Sequence, residues 1–194
     1  MPASYDNLPI DIPSIFKEWV KDVSINLSDE LTVSIPNVSC KVETWIELCN
    51  RLKADHESST DKSLIYPMVA LIRNYSERIS QDSPYMDTDL TIVIVTLAEP
   101  TMLSEQRDLL SYKPILDPIY SELMSVISDS PYTIGVNNPY PTHTKDNNLR
   151  LGQDSPMGNK GYLLPDYVDA ILVEGLKLRF DVEKCLEVSE GPTV

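Results

Sequence analysis

From Ser14 to Val23 the apolar residues Ile15, Phe16, Trp19, Val20 and Val23 recur among Lys17, Glu18, Lys21 and Asp22. Spacings of three and four place the two sets on opposite faces of a helix, one packed and one wet. Asp11-Ile-Pro-Ser14 is a suitable start for it, and Met1 to Ile10, with Pro2 and Pro9, reads as an extended arm. Leu31, Val33 and Ile35 alternate with Thr32 and Ser34 ahead of Pro36-Asn37, which predicts a short hairpin or pair of strands. Val42 to Ala54 fits a continued strand, while Trp45, Ile46, Leu48, Cys49 and Leu52 fit a helical stripe equally well; period alone leaves both open.

Glu57 to Lys62 is polar and predicts an exposed loop, and the nearly continuous apolar run Leu64 to Ile72 predicts a buried strand. Gln81 to Asp89 reads as a turn-rich connection. Leu90-Thr-Ile-Val-Ile-Val-Thr-Leu97 is the strongest strand signal, rich in β-branched residues and suited to the centre of a sheet. Ser104 to Ser128 carries the pattern of a long helix, in which Pro114 and Pro118 each lack a donor. The expectation is a break near Lys113 and a regular helix from Pro114 or Pro118 to Ile127.

Tyr132 to Val136 is a short strand candidate. Asn137 to Asp166, with four prolines and three glycines and no apolar period, reads as a long interaction loop. Tyr167 to Phe180 reads as a long strand, with Gly175 marking a bulge or a close backbone approach, and Val182 to Val194 as a polar tail. The order of elements predicts one α+β domain over residues 1 to 194, a mixed or antiparallel sheet covered by helices, with a long loop and extended arms and no internal repeat.

Composition changes this picture in its partners. Of the 194 residues, 42% are hydrophobic and 24% charged, which is ordinary globular usage. Thirty acidic against 16 basic side chains give a net charge of -14, which repels a phosphate backbone, and Lys177 and Arg179 only alternate with apolar strand positions. No run approaches a membrane span and Met1 to Ile10 lacks a signal-peptide pattern, so a cytosolic origin is expected. Cys40, Cys49 and Cys185 are odd in number and irregularly spaced, which predicts reduced thiols and no disulfide.

Candidate chemistry is sparse. The two histidines, His56 and His143, lie in polar segments without a nucleophile motif. No metal-binding spacing occurs; Asp82, Asp87 and Asp89 share a segment that suits a solvated turn better than a calcium loop. Gly158-Asn-Lys-Gly161 has no helix signal after it and reads as turn chemistry. The expectation is therefore no catalytic residue, no cofactor and no metal, with Tyr140, His143, Arg150 and Tyr162 of the 137–166 loop as candidate contact residues. A small acidic hydrolase using His143 with Asp146 or Asp166 is the alternative from another class.

Several blocks, namely Tyr66-Pro-Met-Val-Ala-Leu71, Leu90 to Leu97 with Glu99-Pro-Thr101, Arg107, Tyr112 to Tyr120, Pro141-Thr-His143 and Asp166 to Ile171, together resemble tailed-bacteriophage neck and tail-completion proteins, the tail-terminator or head-tail connector class. The resemblance covers Leu64 to Phe180. It implies a non-enzymatic subunit of a homo-oligomeric ring in the virion, made in the host cytoplasm, placed in the neck or at the head-proximal end of the tail. Its implied partners are portal, connector or tail proteins, with DNA passing the lumen without specific binding and no membrane. Another capsid- or tail-associated structural role is the neighbouring alternative.

Overall fold

The computed structural model describes residues 10–29, 35, 37–58, 61–79, 83–99, 101–134, 141–151 and 166–189. Helix α1 (Ile12–Asp29) leads to β1 (Ser39–Glu43) and α2 (Trp45–Ser58). A 3-10 turn (Lys62–Leu64) precedes β2 (Met68–Ile72), β3 (Glu77–Ile79) and β4 (Tyr85–Leu97). One helical path then runs through α3 (Ser104–Arg107), a π-wound segment Asp108–Leu116 and α4 (Asp117–Asp129), before β5 (Thr144–Leu151), β6 (Val168–Asp181) and α5 (Val182–Ser189).

Among the described residues the strands form one mixed sheet in the order β1-β2-β4-β6-β5, with β3 paired to β4. Only β1 and β2 run parallel; the other pairs are antiparallel. The α+β class expected from the sequence holds, and β4, the β-branched run, lies in the middle. One face carries the larger core: Phe16 and Trp19 of α1, with Leu116, Ile119 and Leu123, pack on Val69, Leu71, Ile92, Ile171 and Phe180. Trp19 stacks on Phe180 at 6.0 Å between ring centroids and donates to Ser130 Oγ at 3.0 Å. The other face is covered at one end by Leu48 and Leu52 of α2 with Ile65 and Tyr66. At its other end alternate positions of β4 and β6 are open to solvent, and the row Arg78, Asp87, Arg179 crosses three strands there.

Gly175 has φ +63° and sits where the β4–β6 register shifts: Leu90 pairs with Leu176 and Ile92 with Val173. The bulge expected there is present, and a left-handed backbone is why glycine occupies it. The 42–54 ambiguity resolves into both elements, because β1 ends at Glu43 and Thr44 then starts α2, its hydroxyl accepting from Glu47 N while Glu47 Oε2 accepts from Thr44 N.

Several expectations need correction. The loop reading of 137–166 fails over Thr144–Leu151, which is β5, paired along β6. An edge strand has one side free for polar residues, so Thr-Lys-Asp-Asn-Asn shows no apolar alternation. The polar-tail reading of 182–194 fails over Val182–Ser189: Asp181 Oδ1 accepts from Glu183 N and Lys184 N, which starts α5, and Val182 and Cys185 are buried. The Leu64–Ile72 strand begins only at Met68, and Leu64 is exposed. The strand after Gln81 begins earlier than Leu90, at Tyr85, because polar residues fill its open face.

The helix break expected near Lys113 is a change of winding. The path stays helical through Pro114 in a wider turn whose bonds reach five residues back, as from Asp117 N to Tyr112 O, and Pro118 falls in the first turn of α4, where its fixed φ suits the helical backbone. The first helix is longer than Ser14–Val23, and among the described residues of the Tyr132–Val136 strand Thr133 forms a single bridge, to Phe180. The N-terminal arm up to Pro9, the Leu31–Ser34 strand and Val136 lie outside the described residues.

Candidate assembly surface

Three polar joints fix the segments around β5 and β6. In the first, Arg107 leaves the end of α3 with 6% of its surface exposed and meets Asp169 of β6, which is fully buried. Arg107 Nε donates to Asp169 Oδ1 at 2.6 Å and Nη2 to the Leu149 carbonyl of β5 at 3.2 Å. The Tyr112 hydroxyl lies 3.1 Å from the carbonyls of both Leu149 and Ala170. Asp169 Oδ2 has no hydrogen-bond partner among the described residues. A buried pair of this kind offsets two desolvation costs with charge-assisted hydrogen bonds, so it fixes geometry more than it adds stability.

In the second joint, Asp166, buried just ahead of β6, pairs with Lys62 Nζ and lies 3.5 Å from the Tyr66 hydroxyl. In the third, at the start of β5, His143 Nδ1 is 2.6 Å from the Pro141 carbonyl. A carbonyl only accepts, so Nδ1 carries the hydrogen and Nε2 takes the Tyr120 hydroxyl at 2.7 Å. Lys145 Nζ binds Asp117 Oδ1 at 2.9 Å and sits 3.9 Å above the Tyr120 ring.

His143 is therefore tied to α4 by its ring and meets neither Asp146, exposed on β5, nor Asp166. Arg150 lies on β5 with its backbone opposite Asp169. Tyr140 and Tyr162 fall outside the described residues, as does Asp82. Asp87 and Asp89 pair with Arg179 and Arg78, and among the described residues no group of three carboxylates, thiols or imidazoles is placed to hold a metal ion.

The surface features that sequence reasoning missed are apolar and acidic. Leu103, just ahead of α3, is 71% exposed, and Leu109 and Leu110 of the π segment are 64% and 57% exposed, with Glu105, Asp108 and Lys113 also exposed along this stretch. In this stretch the buried positions are Arg107, Ser111, Tyr112 and Leu116, spaced four, one and four apart. That spacing suits a turn wider than the α-helix, and it rotates Leu109, which α winding would place within about 20° of Leu116, out to solvent. Between α1 and α4 a groove of about 340 Å³ is lined by Glu18, Asp22, Glu122 and Asp129.

Burial pushes the Cys40 thiol up to about 11, with Lys17 and Lys41 near enough to pull the other way. Cys185 is likewise pushed up to about 11 by burial and by Asp181. Thiols held protonated in this way do not act as nucleophiles near neutral pH. Compared with known proteins, the chain matches no family model and no curated protein.

Proposed function

We propose that the protein is a structural subunit that acts through contacts with copies of itself and with neighbouring proteins, forming a ring in the neck or at the head-proximal end of a phage tail. What carries the reading is where the residues of the phage-like blocks meet. Arg107 and Tyr112 meet Asp169 and Ala170; Tyr66 meets Asp166; Tyr120 meets His143. Met68 to Leu71 and Leu90 to Leu97 lie on neighbouring strands of one sheet. The identities behind the resemblance thus serve the joints that hold the shape, which suits a protein whose task is to present surfaces. The net charge of -14 supports the accompanying idea that DNA passes the ring without binding.

The test is to purify tailed particles whose genome encodes the chain, find the chain among their proteins by mass spectrometry, and localise it with antibody label in electron micrographs. Label at the head-tail junction is the expected result. Absence of the chain from particles, with the protein abundant in infected cells, would overturn the reading.

A further inference from the structure

The two lateral ends of the helix layer carry complementary surfaces. At one end α1 packs over β1 and β2. Its outer surface is divided lengthwise: Glu18, Asp22 and Asn26 line the groove toward α4, whereas Lys17, Lys21 and Ile25, each four residues apart, run along the side toward β1. Ser24, on that side, accepts from Val38 N just before β1. Lys17 and Lys21 are exposed, and Ile25 is 47% exposed. At the opposite end the π segment packs over β4 and β6, with Arg107 reaching β5. Exposed along it and along α3 just ahead of it are Leu103, Leu109 and Leu110, with Glu105, Asp108 and Lys113. Among the described residues none of Lys17, Lys21, Glu105 and Asp108 has an ion-pair partner.

Three leucines left in water on one short stretch are an apolar patch of the kind that marks an interface. On the α3–π stretch Glu105 and Asp108 outnumber the exposed Lys113, while Lys17 and Lys21 stand together on α1 apart from Glu18 and Asp22, so the two surfaces attract each other more than either attracts itself, which favours a head-to-tail contact over a two-fold one.

We propose that a second copy of this chain docks head to tail, Leu103, Leu109 and Leu110 with Glu105 and Asp108 of one copy lying against Lys17, Lys21 and Ile25 of the next. This contact rests on the ring reading, and gives it the heterologous interface that a closed ring of identical subunits requires. A chain of charge -14 repels its copies at long range, so the contact depends on the leucines for area and on the four charges for register.

The test is sedimentation of three samples of the full chain up to on the order of 100 µM: wild type, Glu105→Lys/Asp108→Lys, and Lys17→Glu/Lys21→Glu. All four positions are exposed, and circular dichroism melting checks that each variant folds. Each variant alone places like charges across the contact, and its association is expected to weaken at least about tenfold. An equal mixture of the two variants restores opposite charges wherever unlike variants meet and is expected to associate more strongly than either variant alone. A wild-type oligomer whose mass neither variant changes would overturn this contact while leaving the ring reading in place. A mixture no better than its components would overturn it too. A wild type that stays monomeric overturns the self-contact, and label on particles then decides separately whether the virion reading survives.

Discussion

Removing the Arg107 guanidinium would leave the Asp169 carboxylate buried between β5 and the π segment without its cation. Arg107→Ala is expected to cost about 3–5 kcal/mol, read from the denaturant midpoint, whereas Arg107→Met with Asp169→Leu should recover most of that loss, because removing both charges removes the desolvation cost with them. An unchanged midpoint in Arg107→Ala would show that the pair does not hold the joint. The partners are 62 residues apart, and no local pattern in one sequence pairs them. Cys185 offers a second residue-scale check. With its thiol pushed up to about 11, only roughly a thousandth is thiolate at pH 8, so Cys185 should alkylate in the unfolded protein and resist in the native one, as counted by mass spectrometry. Rapid native labelling of Cys185 would contradict its burial.

At the scale of elements, the bulge in β6 is set by one backbone angle. A Cβ at Gly175 would meet nothing within 4 Å, so Gly175→Ala tests the left-handed backbone alone and should destabilise by about 1 kcal/mol. No loss, measured by denaturant titration, would show that the bulge relaxes freely. The ladder on the open sheet face responds to acid. The hydrogen bond from Arg179 holds the Asp87 carboxyl below its ordinary value of 3.8, so its stabilising contribution is full above that value and is lost as pH falls through the lowered one. Both partners are about half exposed, so solvent screens the pair: Asp87→Asn should cost under about 1 kcal/mol at neutral pH, and the difference should vanish in strong acid. These elements were unequally legible. The amphipathic face of α1 and the β-branched run of β4 announce themselves because burial on one face or on both leaves a period. Edge strand β5 and helix α5 do not, since half their positions face water and polar residues there look like loop. The exposed Leu109 was hidden differently: it matches a helical stripe in sequence, and only the π winding turns it outward. Of the contact residues expected from sequence, His143 bonds Tyr120 within the chain.

As a whole the molecule is a mixed sheet under a helix layer in which Leu103, Leu109 and Leu110 are exposed near Glu105 and Asp108, and Lys17 and Lys21 are exposed on α1. Salt acts on the docking charges and on the repulsion between copies of charge -14 alike, because exposed charges are screened within a Debye length of roughly 8 Å at physiological ionic strength. The two charge-reversed variants, whose docking charges repel, are therefore expected to approach the wild-type mass as salt rises from low to about 0.5 M, with no gap to close if leucines alone make the contact. The most direct test of the central claim is the solution mass of the purified chain, measured by light scattering over a range of concentrations and followed by negative-stain images of the same sample. Closed rings of one size, built from 21.9 kDa subunits, are the predicted result. A species that stays at 21.9 kDa at every concentration, with no rings in the images, would contradict the account.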